Sequence, residues 1–580
     1  MEIPSDRLIR PLARSLAALL PLAVAAACGT VTAAGGDDDG DGGGEHADGG
    51  PGDRDPDGGG GSASRFVRVL HTVPEEGATR LYAADVIDGA IQPARLLSGE
   101  TPGGIVDRVQ ASDDGQTVVY RSDAESAGEP DLYLVRFEGD QPGAPVRLSD
   151  DHGASYVVQS FLEADGSGAI YGAGTVGGGF VSIEDYYAVD LSGPAPGAPV
   201  PLGHGSFVYG GVLAEDGSTF AFLEDGAAYV VALDGAAPPE PVRVGPAAGD
   251  AQNVVALALA PDGSAIALVG DLTTDGVNEL YVADVSGASP GPVRRANRTL
   301  VAGGDVYVGP LGLVSHYFSP DGGQLAYFAD ARIDGVTELF VVEVSGGTPG
   351  SSERVNGDPV AGGAVLPGYT SPFSPDGRLI AYRADQLSDG VTELFVADLT
   401  SGAPAAARRV NGVLAAGGDV SSYRFAPDGS GLVYQADQRS DEVTELYYAD
   451  TRGSQPGPPQ RVNRDPVSGG DVSSPVAFAR DGGSLACAGD LMVDERAELF
   501  LAAIADGTVE PAERAQASSA ATSGIYSIEF APDGSLVYAG DTARAACDLW
   551  IAEPGGGEAQ RVNITTARDS GVIGFWLRPR

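Results

Sequence analysis

The chain has 580 residues, a hydrophobic content of 43% and 81 acidic against 35 basic residues, which gives a formal charge of −46. So acidic a surface repels the phosphates of nucleic acids, and this excludes DNA or RNA binding as the main function. The length predicts several domains unless internal repeats build one larger body.

The N-terminus has the features of an export signal. Three arginines precede an apolar run over residues 16–27, which is too short to cross a bilayer as a helix. Residues 25–28, Ala-Ala-Ala-Cys, resemble the lipobox of bacterial lipoproteins. The resemblance implies a signal peptide over residues 1–27 and a lipid on Cys28. The same alanines also fit an ordinary cleavage site, so simple export remains the alternative.

Residues 28–64 follow the signal with a composition of mainly Gly and Asp. Such a segment buries too little apolar surface to offset the entropy of ordering it, and its like charges extend it. We therefore expect a disordered tether that carries the lipidation cysteine at its start.

The remaining chain, residues 65–580, is built from repeats. Its marker is an Asp-Gly pair that recurs every 46–59 residues, at Asp114, Asp165, Asp216, Asp262, Asp321, Asp376, Asp428, Asp481 and Asp533. A period near 50 residues is typical of propeller blades. In the unit around Asp321, four short segments have strand character, and the middle two are apolar on both faces. That pattern predicts four antiparallel strands packed between neighbouring sheets.

Several units contain a Ser-Pro-Asp-Gly turn, an apolar strand and then a Glu-Leu-Phe or Glu-Leu-Tyr strand, as in residues 374–377 and 393–395. These units resemble the TolB-like, WD-like propeller repeats of bacterial envelope proteins, and the resemblance covers most of residues 65–580. It implies a β-propeller and partners in the cell envelope. It implies no single activity, because this fold carries many functions.

The two ends of the repeat region are complementary. Residues 66–70, 81–86 and 94–97 have the pattern of the second, third and fourth strands of a blade, whereas residues 570–579 match a first strand. Together they predict one composite blade that closes a ring of about ten, beyond the usual four to eight. The alternative is two smaller propellers, joined near residues 302–313.

Carboxylates recur in the loop between the second and third strands. Three of them at fixed spacing can offer oxygen ligands to Ca²⁺. Each also has a local role, because an Asp can accept hydrogen bonds from loop amides and the Glu can pair with an arginine. The sequence favours these local roles, with calcium as the alternative. The metal candidates are Asp330, Asp334, Glu338, Asp385, Asp389 and Glu393.

An Arg-Val-Asn motif recurs in the predicted outermost strand, for example at residues 354–356 and 409–411. The arginines could recognise acidic ligands. The excess of acidic residues favours ion pairs with carboxylates of the same or the next blade instead.

The sequence gives little support for catalysis. Residues 287–291 match the Gly-x-Ser-x-Gly pattern of hydrolases, but the segment reads as a turn between strands with no helix after it. Cys487 is expected to be a buried, unpaired thiol, and Cys547 to lie on a loop of the next blade, so no disulfide is favoured.

We therefore predict a monomeric, non-catalytic envelope lipoprotein, anchored to the outer membrane only by its lipid, on the periplasmic or the exposed side. Its propeller would bind a protein or a glycan on an acidic rim, without a cofactor. Two alternatives are a polysaccharide-acting lyase or hydrolase with its site in the central channel, and a calcium-binding structural module.

Overall fold

The structure is a computed structural model that describes residues 66–578, except 76–77, 100–103, 151, 153–154, 178–179, 206–209, 234–239, 246–252, 310–315, 369, 454, 516–523, 532, 542–546, 553–558 and 563–573. The predicted signal peptide, Cys28 and the tether lie outside these residues. Within the described part of the chain, no helix is long and apolar enough to cross a membrane.

The Asp-Gly markers form the tight turns that join the first and second strands of the blades. In the turn at Ser319, the Gly322 N–H donates to the Ser319 carbonyl over 2.8 Å, and Asp321 Oδ1 accepts from the Gly323 N–H over 3.0 Å. The φ angle of Gly322 is 68°, and all nine marker glycines have a positive φ. Only glycine adopts this conformation at no steric cost, which explains the recurring Asp-Gly pair.

Ten antiparallel sheets follow one another along the chain. Blades 1 to 5 contain β1 (Phe66–Glu75), β2 (Ala78–Ile87), β3 (Ala90–Ile91), β4 (Arg95–Leu96); β5 (Val106–Ala111), β6 (Thr117–Ser122), β7 (Asp131–Glu138), β8 (Gln141–Pro142), β9 (Val146–Arg147); β10 (Tyr156–Leu162), β11 (Gly168–Gly177), β12 (Phe180–Asp190), β13 (Val200–His204); β14 (Val212–Leu213), β15 (Thr219–Glu224), β16 (Ala227–Ala232), β17 (Val242–Val244); and β18 (Val254–Leu259), β19 (Ala265–Gly270), β20 (Glu279–Asp284), β21 (Arg294–Arg295).

Blades 6 to 10 contain β22 (His316–Phe318), β23 (Gln324–Ala329), β24 (Glu338–Ser345), β25 (Thr348–Arg354); β26 (Val365–Leu366), β27 (Leu379–Ala384), β28 (Glu393–Asp398), β29 (Arg408–Arg409); β30 (Val420–Phe425), β31 (Gly431–Ala436), β32 (Glu445–Asp450), β33 (Gln460–Arg461); β34 (Val472–Phe478), β35 (Ser484–Gly489), β36 (Glu498–Ala505), β37 (Thr508–Val509), β38 (Glu513–Arg514); and β39 (Ile525–Phe530), β40 (Leu536–Asp541), β41 (Cys547–Ala552), β42 (Gln560–Arg561). The last strand, β43 (Gly574–Arg578), returns to blade 1.

Each sheet is an up-and-down meander with four strand positions. In blades 1, 2 and 9 the outer position is split into two short strands, which both pair with the third strand. The Asp-Gly turns therefore lie at one rim of the propeller. The loops between second and third strands lie at the opposite rim, together with the crossovers between blades. The second and third strands are buried over nearly their whole length, for example all six residues of β19. This confirms the prediction of sheets that are covered on both faces.

The ring is closed by the pairing of the two ends of the repeat region. β43 is the inner strand of blade 1 and pairs antiparallel with β1, with Leu70 opposite Trp576 and Thr72 opposite Gly574. The predicted second, third and fourth strands of this composite blade are β1, β2 and the split outer strand β3 and β4. The prediction of one ring of ten four-stranded blades is thus confirmed.

Apolar clusters join neighbouring sheets all the way round this ring. One cluster packs Val269 and Leu280 of blade 5 against Tyr327 and Phe340 of blade 6, across the proposed joint between two smaller propellers. Another cluster packs Val69 of blade 1 against Val537 and Leu549 of blade 10. The alternative of two separate rings is therefore wrong.

A buried ion pair adds to the packing of blade 1. Arg68 and Asp85 are 1% and 2% exposed, and their Nε and Oδ1 atoms are 2.9 Å apart. The Arg68 guanidinium also lies 3.6 Å from the centre of the Phe137 ring, and its Nη1 donates to the Gly115 carbonyl over 3.0 Å. Phe137 and Gly115 belong to blade 2, so this arginine connects the closing blade to its neighbour.

Both cysteines in the repeat region have a position in the blades. Cys487 is a buried, free thiol in β35, and burial raises its pKa to about 12. Its prediction as a small buried side chain is confirmed. Cys547 begins the strand β41, so its expected place on a loop was wrong.

The buried histidine His316 makes the stability of the ring depend on pH. Burial lowers its pKa from 6.5 to about 4, so the unfolded chain takes up a proton below pH 6.5 that the folded chain does not. As the pH falls from 6.5 to 4, His316 therefore lowers the free energy of unfolding by about 1.4 kcal/mol for each pH unit. We expect His316→Phe to remove this slope, as measured by urea unfolding at several pH values. Parallel pH curves for wild type and variant would contradict the assignment, and His71→Phe provides a second case.

Candidate functional site

The rim that carries the crossovers and the loops between second and third strands is the candidate functional site. In the loop of blade 6, Asp330 Oδ2 accepts from the Gly335 N–H over 2.8 Å, and its Oδ1 accepts from the Asp305 N–H over 2.5 Å. Asp305 belongs to the crossover that enters the same blade. The first Asp of the loop therefore shapes the loop and holds the crossover beside it.

The same arrangement recurs on the following blades. Asp385 accepts from the Gly390 and Ala364 N–H groups over 3.0 and 2.7 Å. Asp490 accepts from Glu495 and Asp471 over 3.0 and 2.6 Å. Two acceptor oxygens on a short side chain fit this role, which explains the choice of Asp.

A second carboxylate ties each crossover back to the preceding blade. Asp305 accepts from the Asn278 N–H of blade 5 over 2.7 Å, and Asp419 accepts from the Thr392 N–H of blade 7 over 2.6 Å. Asp471 accepts from the Thr444 N–H of blade 8 over 2.5 Å. We call these three residues the crossover clasps. Each clasp joins two blades through one carboxylate and its own backbone N–H.

The clasps bring acidic groups close together. Burial raises the pKa of Asp471, and the nearby carboxylates of Asp490, Asp437 and Asp494 raise it further against the hydrogen bond from Thr444. The rim is therefore a region in which negative charges accumulate because backbone amides hold them there.

The Glu at the start of the third strand faces the outer strand instead. Glu338 accepts from Arg354 Nη1 over 2.9 Å and from Arg332 Nη1 over 3.1 Å. The Asn356 side chain accepts from the Leu339 N–H over 2.9 Å. Equivalent Arg–Glu pairs occur in four further blades, at Glu279, Glu393, Glu445 and Glu498. The arginine thus anchors the C-terminal end of the outer strand, and the predicted ion pairs within a blade are confirmed.

The partners of this glutamate differ between blades and change its titration. Burial acts against ionisation of Glu279, but hydrogen bonds from Thr273, Arg295 and the Tyr281 hydroxyl lower its pKa overall. Burial raises the pKa of Glu338, where Phe340 takes the place of that tyrosine and Oε2 has no hydrogen-bond partner. The alternation between Glu-Leu-Tyr and Glu-Leu-Phe was visible in the sequence, and its effect on the pKa was missed.

The six metal candidates are therefore placed on the same rim with different partners. Asp330 and Asp385 accept from backbone amides, and Glu338 and Glu393 pair with arginines. Asp334 and Asp389 lie exposed against the crossover glycines Gly303 and Gly362. Among the described residues, no three His, Cys, Asp or Glu side chains form a metal-binding group. A calcium ion at these loops remains a prediction.

Exposed aliphatic side chains lie between these carboxylates, and the sequence analysis missed them. Ile333, Leu387 and Met492 are each 53% exposed on the loops of blades 6, 7 and 9. On the crossovers, Val413 is 81% exposed and Val467 37%. The number of residues between each side chain and the nearest Asp-Gly marker places it in a loop or a crossover. This spacing could have identified these side chains as exposed. We call loops 330–337, 385–392, 437–444 and 490–497, with crossovers 357–364, 412–419 and 464–471, the rim surface.

Polar side chains on the first and second strands connect neighbouring blades near the central channel. Arg121 Nη1 donates to the Val157 carbonyl over 3.1 Å, and Arg424 Nη1 donates to the Val476 carbonyl over 3.0 Å. Gln110 Nε2 reaches the Ser160 carbonyl over 3.1 Å. These side chains connect one blade to the backbone of the next. They satisfy strand edges that the ring would otherwise leave unpaired.

The serine in the Gly-x-Ser-x-Gly match lies where the sequence predicted it. Residues 287–291 form the turn between β20 and β21, and the Gly291 N–H donates to the Asp284 carbonyl over 2.8 Å. The strand-to-helix bend that positions a hydrolase nucleophile is not formed by this segment.

Comparisons with known proteins give similarities to solved structures at low sequence identity. No family model and no curated protein matches it. Among solved structures it is similar to a proposed TolB from Agrobacterium tumefaciens, at 18% identity over 44% of this chain and 82% of that one, with a TM-score of 0.26. It is also similar to a eukaryotic initiation factor, at 10% identity over 78% and 96% of the two chains, with a TM-score of 0.42.

A third similar structure is dipeptidyl peptidase 4 from Porphyromonas gingivalis, at 12% identity over 74% of this chain and 64% of that one, with a TM-score of 0.43. The identities and scores are too low to assign a family or an activity. The TolB-like pattern in the sequence and the ten-bladed ring agree at the level of the β-propeller fold.

The clasps can be tested by removing one clasp carboxylate and by adding one to a crossover that lacks it. At the crossover into blade 7, Ala364 stands where Asp305, Asp419 and Asp471 stand in other crossovers, and its N–H still donates to Asp385. We expect Asp419→Ala to lower the free energy of unfolding by about 1–2 kcal/mol, because the Thr392 N–H loses its acceptor. Ala364→Asp should raise the free energy of unfolding by about 1 kcal/mol, because it places a carboxylate at the clasp position of this crossover. Urea unfolding measures both.

Ala361→Asp is the matched control, because it adds the same charge to an exposed position of the same crossover. If Ala364→Asp were no more stable than Ala361→Asp, the carboxylate would not act as a clasp.

Proposed function

We propose that this protein is a non-catalytic binding scaffold of the bacterial cell envelope, which presents the rim surface to a partner. The observation that carries this proposal is the rim itself. Its loops are fixed by carboxylates to their own blade and to the preceding one, yet they expose aliphatic side chains to solvent. Exposed apolar groups on a preorganised surface are typical of binding sites.

The proposed location rests on residues 1–64. The basic residues, apolar run and cysteine at position 28 favour export and a lipid anchor, and the acidic tether would hold the ring away from the membrane. The resemblance of the repeats to TolB-like propellers favours partners in the envelope, on the periplasmic or the exposed side.

Affinity capture from bacterial envelope extract tests the proposal. The bait is the full chain, and an unrelated protein of similar negative charge is the control bait. We expect the full chain to retain one discrete protein or glycan, in a molar amount close to that of the bait. The control bait should not retain it. Parallel captures with added calcium and with a chelator show whether the loops need the ion.

The same preparations are assayed for cleavage of envelope polysaccharide. Turnover of a polysaccharide, with no retained partner, would contradict the scaffold and favour the channel enzyme.

A further inference from the structure

We propose that the rim surface of blades 6 to 9 docks a protein segment in which arginine or lysine alternates with apolar side chains. This inference rests on the proposed function, because it names the partner chemistry of the same rim. It follows from three features: repeated exposed aliphatic groups, exposed carboxylates beside them, and the charge of the other candidate occupants.

The first feature is an aliphatic side chain that recurs blade by blade. Ile333 on blade 6, Leu387 on blade 7, Val413 on the crossover into blade 8 and Met492 on blade 9 are all at least half exposed. They lie on loops at one rim, because every blade has the same meander. We call these four residues the exposed track, and we infer that one extended segment contacts them in turn.

Backbone contacts bring the crossover groups close to the loop groups. The Val360 N–H donates to the Gln386 carbonyl over 3.0 Å, next to Leu387. The Val467 N–H donates to the Leu491 carbonyl over 3.0 Å, next to Met492. Each of these blades therefore presents its apolar groups as a pair held together by the backbone.

The second feature is the second Asp of each loop. Asp334, Asp389, Asp441 and Asp494 are exposed, and no hydrogen bond or ion pair joins them to another described residue. Each lies against a crossover glycine. A Cβ on Gly362 would come within 2.7 Å of the Asp389 carboxylate, and one on Gly417 within 2.7 Å of Asp441. A side chain at these glycine positions would therefore displace the carboxylates from the crossover.

The arginines of the rim surface do not neutralise it. Arg332 and Arg439 are held in ion pairs with Glu338 and Asp358, and with Glu445 and Asp465, respectively. The rim surface as defined contains fourteen carboxylates against four arginines. Its unpaired groups are negative and sit beside aliphatic side chains. A partner that complements both must bring cations and apolar groups at similar spacing.

The third feature is the charge of the other occupants. A second copy of this chain carries a charge of −46, and residues 30–64 carry nine acids against one arginine. Like charges disfavour both on the acidic rim, and they disfavour an anionic membrane in the same way. A neutral glycan would satisfy the aliphatic groups but leave the carboxylates without partners. A basic, partly apolar segment is the occupant that matches both.

Binding of a synthetic peptide that repeats Arg-Leu-Ser-Gly tests the proposal, measured by fluorescence anisotropy with the full chain at low and high salt. Two control peptides replace Arg by Glu, or Leu by Ser. We expect the Arg-Leu peptide to bind at least about tenfold more tightly than either control, and to weaken as salt increases.

The double variant Leu387→Ser, Val413→Ser should weaken this binding by about tenfold. The matched control is Val146→Ser, Val200→Ser, which removes two exposed valines from the outer strands of blades 2 and 3. Circular dichroism of each variant separates lost binding from lost folding.

Equal binding of the Arg and Glu peptides, or equal affinity of the two double variants, would overturn the proposal. A partner captured from envelope extract by wild type and equally by Leu387→Ser, Val413→Ser would also overturn it. In that case the scaffold function would stand with its site elsewhere on the ring. Capture of a glycan alone would overturn the protein segment as occupant.

Discussion

The two apolar faces of every blade are the constraint on which the rest of the structure depends. A sheet such as β18–β21 cannot bury both faces by itself, so it is stable only between two neighbours. Burial of one Val or Leu side chain contributes about 1.5–3 kcal/mol, and each junction buries many of them. An open row of blades would leave two such faces in water. The pairing of β43 with β1 removes them, and the cluster that joins Val69 to Val537 completes the ring.

Ring closure also determines what the rims can do. A ring of ten blades fixes its crossovers at regular intervals. The clasps formed by Asp305, Asp419 and Asp471 hold three of these crossovers to the blade before them. A carboxylate is suited to this role, because its Oδ1 accepts from a backbone amide of the preceding blade. The acidity of the rim is thus partly a consequence of its architecture. In the proposed docking, the exposed second Asp of each loop pairs with the cations of the partner.

The repeats made the fold predictable, and their irregular members explain what was not. The marker turns, the blade order and the composite blade followed from Asp-Gly spacing and from matching ends. The pairing of Glu338 with Arg354 followed from a motif repeated within each unit. The clasps were harder to predict, because Asp419 acts on Thr392 of another blade, which depends on how a crossover turns. The exposed track was missed because Leu387 and Val413 look like ordinary core residues in a sequence that is 43% hydrophobic.

A disulfide placed across the closing strands tests the single ring most directly. Val69 and Leu577 are opposite one another in the β1–β43 register, so cysteines there should oxidise to a disulfide that mass spectrometry detects. The test uses Val69→Cys, Leu577→Cys with the three native cysteines replaced by serine. The same chain with Val86→Cys in place of Val69→Cys is the control, since Val86 lies in β2, which β1 separates from β43. The closed ring predicts rapid bonding in the first variant only. Equal, slow bonding in both, as for a free C-terminal segment, would contradict the closed ring.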